Sequence, residues 1–231
     1  MWKFLGIFLL LFKLSLGSYT DTWDGLLEDY TDYGIRDGIE AVLVDYGGIK
    51  TDHRWKKLLE ELKVESPERP SLEETKAFWI NTYNIGAVKM VIDNHPLKSI
   101  KDAGNLLKPV WKKKIIQVGN NTYSLGYIEH NILRKTGDSL IHYAIVCASM
   151  SCPDLRRRSY TPEKLKEEML EQKKLFLSNT KKGVHIEGDT YSISKLYKWY
   201  IDDFGDPYAY LEIPKDKKIK YIDYDWSLNT K

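Results

Sequence analysis

The chain of 231 residues is 42% hydrophobic, 29% charged and 13% aromatic, with a formal net charge of +2 at pH 7. That length provides one sizeable domain with a real core and demands no second one, and the balance excludes a disordered or fibrous chain. Acidic and basic residues are mixed throughout, so no strong field for nucleic acid is expected, and the runs Lys112-Lys113-Lys114 and Arg156-Arg157-Arg158 read as solvated faces rather than phosphate grooves.

Met1-Trp2-Lys3 gives a basic start, and the apolar run that follows it, Phe4 to Phe12, is too short to span a bilayer. With Ser15 and Gly17 as the small residues a signal peptidase reads, residues 1–17 resemble a secretory leader cleaved after Gly17, although Lys13 interrupts the apolar region. The expected product is residues 18–231 as one soluble domain, secreted or periplasmic, without stable membrane insertion; the alternative is an uncleaved, membrane-anchored form. Export also sets an oxidising environment, in which a disulfide between the two cysteines becomes chemically plausible. Asn120-Asn121-Thr122 is formally a glycosylation sequon and matters only in a eukaryotic secretory pathway.

A short polar helix is expected around Arg54 to Leu62, followed by a linker, Lys63 to Pro70. Ser71 with Glu74 three residues on is a capping-box pattern that opens a helix running to Ile92, stopped by Asn94 and Pro96. Apolar residues lie on nearly every side of it, which predicts a central, buried helix. Asn81 and Asn84 share one face of that helix, and inside a core each needs partners, because an unpaired buried polar group costs ~1–3 kcal/mol.

Lys114–Val118 and Thr122–Ser124 flank Gly119-Asn120-Asn121 and read as a hairpin, after which Ser124 caps a helix from Leu125 to Lys135. Glu129 and His130 are adjacent on that helix and point about 100° apart, while His130 and Arg134 are one turn apart. Ile141 to Val146 reads as a buried strand leading to Cys147. Cys152 precedes Pro153, the residue favoured at a first helical position, so Cys152 is a candidate helix N-cap whose thiol the helix end would acidify. Further on come a helix from Thr161 to about Leu177, a hairpin over Val184 to Ile193 around Gly188-Asp189, a Tyr- and Trp-rich helix from Ser194 to Phe204, and a final extended piece ending at Tyr224-Asp225-Trp226. Helices and short antiparallel hairpins without regular alternation predict a helix-rich α+β fold.

Five of these stretches together carry a resemblance. They are Phe78-Trp79-Ile80-Asn81-Thr82-Tyr83-Asn84, Ile128 to Arg134 with Glu129-His130, His142 to Ser149, Ser151-Cys152-Pro153-Asp154-Leu155-Arg156, and Tyr224 to Asn229. In that order they resemble the domain of unknown function 547 family, from Val44-Asp45-Tyr46 to Asn229. The resemblance implies a single domain with a cysteine-histidine centre, distantly like papain-type thiol hydrolases with the motif order altered. In plant members the position of Cys147 looks retained while that of Cys152 is often another residue, which favours Cys147 as nucleophile.

A thiol needs a base, and neutral imidazole is the usual one. On a continuous strand His142 and Cys147 would point to opposite faces, so His130 is the expected base and His142 a supporting or core group. Glu129 is expected to orient an imidazole or to pair with Arg134, Arg156 or a substrate amine; Asn81 or Asn84 is expected to orient His130 or to donate to an oxyanion. Cys147, Cys152, His130 and His142 make four ligands, numerically right for zinc, but their spacing fits no zinc module. No metal is therefore expected, and with no nucleotide or phosphate loop in the sequence no organic cofactor is expected either. Two functions follow: a thiol-dependent hydrolase or acyl transferase acting on a small molecule or peptide through an amide or thioester, and a non-catalytic binding module with a Cys147–Cys152 disulfide and an aromatic cleft of Trp79, Trp111, Tyr197 and Trp199.

Overall fold

The computed structural model describes residues 18–105 and 108–231; the expected leader, residues 1–17, lies outside them. Helix α1 (Tyr19–Tyr30) starts at a capping box, with Ser18 N donating to Asp21 Oδ2 at 3.2 Å. Strands β1 (Thr31–Arg36) and β2 (Ile39–Val44) form an antiparallel hairpin whose turn residues, Asp37 and Gly38, have φ of 51° and 77°. Two consecutive left-handed residues are what a tight hairpin turn of this hand requires, and Asp-Gly supplies them with little strain. Helices α2 (Tyr46–Thr51) and α3 (His53–Val64) follow.

Helix α4 (Leu72–Asn94) begins as its sequence predicts: Ser71 Oγ accepts from Glu74 N at 3.1 Å and donates to the Glu74 carboxylate at 2.7 Å. From Lys76 to Ile92 every residue but Lys89 is buried, so α4 is the central helix of the main core. Strands β3 (Lys114–Val118) and β4 (Asn121–Ser124) form the expected hairpin. Beyond it the expected regular helix changes pitch: α5 (Leu125–Tyr127) widens into a π-helical turn, Ile128–Leu133, and tightens into a 3-10 turn, Arg134–Thr136, that ends at left-handed Gly137. Such a wide turn inside a helix is rare and commonly marks a functional site.

Helix α6 (Leu165–Ser178) precedes a three-stranded sheet of β5 (Val184–Glu187), β6 (Thr190–Ile193) and β7 (Lys218–Tyr221). β5 and β6 are the expected hairpin, while β7 adds in parallel to β6. Between β6 and β7 lie α7 (Leu196–Trp199), α8 (Ile201–Phe204) and α9 (Pro207–Tyr210); the single helix expected over 194–204 is interrupted at Tyr200. The arrangement is α+β, helix-rich with short strand pairs. Among the described residues no helix is long and apolar enough to cross a membrane.

Two apolar clusters meet at the segment that leads to Cys147. The larger is built on α4 and takes in Ala144, Ile145, Val146 and Ala148; the smaller gathers Phe176, Ile193, Tyr197 and Phe204 around Tyr143. Consecutive residues Tyr143 and Ala144 thus pack into different clusters. Here the sequence expectation of a strand is corrected: Ser139–Tyr143 is a 3-10 helix, and 144–147 continue without a strand partner. Their backbone groups are satisfied by a helix side chain instead, for Asn84 Nδ2 donates to Ala144 O and Asn84 Oδ1 accepts from Val146 N, both at 2.9 Å. A carboxamide presents one donor and one acceptor side by side, which is the pattern an adjacent strand would have offered.

The helix expected after Pro153 is also absent. Cys152 N donates to Ser149 O, closing a turn, and the chain then runs irregularly to Leu165. Asp154 in this run accepts from Val42 N at 3.0 Å and from Lys182 Nζ at 2.6 Å. Those long-range partners fix the backbone in place of helical ones, so Cys152 caps no helix.

Candidate functional site

Cys147 and Cys152 are both free thiols, the first partly exposed and the second buried. Their sulfurs are 3.0 Å apart, and the Cys147 backbone N–H also points at Cys152 Sγ at 3.0 Å. The turn between them is fixed by Ala148, a non-glycine residue at φ 57°. A left-handed alanine is strained unless its surroundings hold it there, and such strain gathers at functional sites. A strap from the far end of the chain holds it: Asn229 N donates to Ala148 O at 3.1 Å, Met150 N to Ser227 O at 2.9 Å, and Asp225 N to Ser151 Oγ at 2.8 Å. Asn229 is itself anchored, with Tyr46 OH donating to Oδ1 at 2.7 Å and Nδ2 donating to Val42 O at 3.2 Å.

The same strap carries Tyr224 to the thiol. Its hydroxyl lies 3.3 Å from Cys147 Sγ and 3.1 Å from Ser149 Oγ, which is 3.1 Å from the same sulfur. Two hydroxyls can donate to Cys147 Sγ, those of Ser149 and Tyr224; between the neutral thiols Cys147 S–H donates to Cys152 Sγ, and the Cys152 thiol becomes the donor once Cys147 is ionised. Chiefly the Cys152 hydrogen bond, working against burial and joined by Ser149 and Tyr224, brings the Cys147 thiol down to about 7. Burial, then the hydrogen bond with Cys147 and the Cys147 charge, pushes Cys152 well above the ordinary thiol value. Two thiols five residues apart are thereby divided into an accessible thiolate and a buried, protonated partner.

On the far side of this centre lies a buried polar group with capacity to spare. Glu129, on the π-helical turn, accepts from Tyr83 OH at 3.4 Å through Oε2, while its buried Oε1 has no hydrogen-bond partner among the described residues. Burial first, and then the charges of Glu129 and Cys147, raise the Tyr83 hydroxyl well above its ordinary value, and the same causes act on Tyr200. Both tyrosines thus stand in the fields of the carboxylate and of the thiol.

The histidines lie elsewhere. His130 is exposed, with Nδ1 3.1 Å from Arg134, and is not within hydrogen-bond reach of Cys147. Neighbouring residues of a helical turn point in different directions, and here Glu129 turns inward and His130 out. His142 is buried, its Nε2 2.6 Å from Asp203 Oδ2 and its ring 4.0 Å from that of Tyr200. Arg134 completes the group by holding both carboxylate oxygens of Asp203, the second contact at 2.9 Å. The four residues that would make a zinc site are thus not assembled, and among the described residues no three His, Cys, Asp or Glu are placed to hold a metal ion.

Burial lowers the His142 pKa, against the pull of Asp203. The unfolded chain accordingly takes up this proton first, at about 6.5, so the folded state loses stability as pH falls from there through the lower folded value. The urea midpoint is expected to drop between pH ~7.5 and ~5.5, and to drop less in His142→Gln. An equal drop in both proteins would show that His142 is not the group responsible.

Two other expected site residues, Asn81 and Arg156, serve the frame. Asn81 clasps Tyr160, donating to its carbonyl at 2.9 Å and accepting from its N–H at 2.8 Å. Arg156 holds Ser159 O at 2.7 Å and Glu168 at 3.2 Å, and Arg157 reaches Thr31 Oγ1 at 3.1 Å, so these two members of the basic run are structural ties rather than a solvated face. Of the expected aromatic cleft, Trp79 and Tyr197 belong to the core. Trp199 is 43% exposed and packs on Tyr224 and Trp226, with ring centroids 4.8 and 5.7 Å away. Sequence reasoning missed Tyr224 as a neighbour of the thiol, although it opens one of the motifs that carry the family resemblance.

Fold and site together define a helix-rich α+β protein with a two-thiol centre at the seam of its clusters. Residues 67–177 match the model of a family described as "Protein of unknown function, DUF547", and over that segment the chain carries the features of this family. The matched segment contains both cysteines, Asn84, Glu129 and His142, whereas Tyr46, Tyr200, Asp203 and Tyr224 lie outside it. No curated protein and no solved structure matches the chain.

Proposed function

We propose that this chain is a thiol-dependent enzyme whose nucleophile is Cys147 and whose chemistry is exchange between a dithiol and a disulfide. The observation that supports it is the second sulfur: a free thiol 3.0 Å from the first, buried and held protonated while the first ionises near neutrality. In this reading the Cys147 thiolate attacks a substrate disulfide, forms a mixed disulfide and expels one substrate thiolate. Cys152 then loses its proton to that product or to solvent and attacks Cys147 Sγ, releasing the second thiolate. The substrate disulfide is reduced by two electrons and the Cys147–Cys152 pair is oxidised, with no imidazole needed in contact with the sulfur. Export through residues 1–17 would place the protein where substrate disulfides are abundant.

A second reading, hydrolysis or acyl transfer through a Cys147 thioester, is supported by the hydroxyls of Ser149 and Tyr224, 3.1 and 3.3 Å from the sulfur, which are donors of the kind an oxyanion needs. The non-catalytic binding module is the outcome if the two cysteines are permanently bonded.

One set of experiments separates the three. The reduced protein is incubated with a small aromatic disulfide, and Cys152→Ser is expected to accumulate a mixed disulfide at Cys147, seen as the added mass of one substrate half. Wild type should instead release two thiols per protein and end with both cysteines oxidised. A stable acyl adduct formed from a thioester, undiminished in Cys152→Ala, would support the second reading. Absence of any titratable thiol in freshly isolated protein that resists mild reductant would leave the binding module.

A further inference from the structure

We infer that the open cavity formed by α1, β2, α6 and the irregular run after Cys152, whose lining contains neither cysteine, is a binding site for an aliphatic diamine. Its volume is about 590 Å³, within the range of small-molecule sites. Its lining contains a polar side chain that the fold leaves unsatisfied. Gln172 on α6 is only 5% exposed and lines the cavity, yet its carboxamide has no hydrogen-bond partner among the described residues. That carboxamide is not among the fully enclosed polar atoms, so it opens onto the cavity and is free to bond whatever occupies it.

The charges around Gln172 say what that something is. Most of those lining the cavity are already engaged within the protein: Asp154 by Lys182 and Val42, Asp24 by the Ser159 N–H and hydroxyl, Arg156 by Glu168, and Arg157 by Thr31. Glu28 on α1, Glu40 on β2 and Glu171 on α6 have no hydrogen-bond or ion-pair partner for their carboxylates among the described residues, and Arg158 is the one guanidinium of the lining in the same condition. Three unengaged carboxylates against one cation leave an excess of two negative charges, drawn from three separate elements. Val42 and Leu155 form an apolar floor and Leu175 an exposed apolar wall. Two ammonium groups joined by a methylene chain meet that pattern: the chain lies on the apolar surface, each ammonium meets a carboxylate, and one N–H is left for the Gln172 carbonyl oxygen.

The test is calorimetric titration of the full chain with 1,5-diaminopentane at about 0.15 M salt, where contacts between exposed charges are largely screened beyond ~8 Å. Saturable one-to-one binding with Kd of about 1 mM or tighter is expected. Glu40→Gln combined with Glu171→Gln, both on exposed side chains, should weaken it about fivefold or more, and Gln172→Met, close in volume, should weaken it likewise while melting as wild type does. A monoamine of equal chain length should bind at least fivefold more weakly. The proposal is overturned if the diamine does not saturate, if the charge variant binds as wild type does, or if magnesium or free arginine binds with equal or greater affinity. Should Gln172→Met fail to fold, the charge variant and the monoamine comparison decide.

Discussion

Replacing Cys147 with Ser is expected to remove the rapid alkylation of this protein altogether, while replacing Cys152 with Ser preserves it and moves its pH dependence. In wild type the rate of reaction with iodoacetamide should rise with a midpoint at about 7, the value to which hydrogen bonding from Cys152 brings the Cys147 thiol. A serine hydroxyl is smaller and reaches the sulfur less well, so in Cys152→Ser the midpoint should move up toward the ordinary thiol value of ~8.5. At pH 7 a shift of that size lowers the thiolate fraction from about half to a few per cent. Tyr224→Phe removes a weaker donor, at 3.3 Å, and should move the midpoint less. Mass spectrometry of the alkylated protein identifies the modified residue. Preferential labelling of Cys152, or a wild-type midpoint above 8, would show that the two thiols are not divided as their geometry implies.

The second large effect concerns stability. Asn84→Ala should lower the free energy of unfolding by about 2–4 kcal/mol, since it strands two buried backbone groups, Ala144 O and Val146 N, at ~1–3 kcal/mol each, with some relief from local relaxation. Asn84→Asp keeps the acceptor for Val146 N but puts a carboxylate against Ala144 O, and should destabilise as well. Urea unfolding followed by tryptophan fluorescence measures both. Because Asn84 sets the segment that delivers Cys147, the alanine variant should also lose the low alkylation midpoint under conditions where it remains folded. A variant as stable as wild type would mean that the 144–147 backbone finds other partners.

The frame was legible where local chemistry decided it. Ser71 with Glu74 announced α4, Gly119-Asn120 and Gly188-Asp189 announced two hairpins, and the all-round apolar character of α4 announced its burial. The β1–β2 hairpin carries an equally local signal, Asp37-Gly38 between its two strands. What local pattern could not show was who satisfies whom. Ile141 to Val146 has the composition of a strand, and only the tertiary partner, Asn84, reveals that a side chain does the pairing. Pro153 has the position of a first helical residue, but Asp154 and its partners Val42 and Lys182 hold the chain out of a helix. For the site, the cysteine segment and the Glu129 carboxylate were within reach of sequence reasoning because adjacency fixes what they can share. Tyr224, 77 residues from Cys147, was not, because nothing in its neighbourhood says which loop it will meet.

The strap of 224–229 has a consequence for the order of events during synthesis. Chains emerge from the ribosome N-terminus first, at ~5–20 residues per second, so both cysteines are exposed to the cell well before Tyr224 and Asn229 exist. Until then Ala148 lacks the bonds that hold it left-handed, and the thiols have neither their hydroxyl neighbour nor their fixed separation. The nascent chain therefore carries two ordinary cysteines, and the low alkylation midpoint expected of the folded protein arises only when residues made some seventy positions later fold back across them.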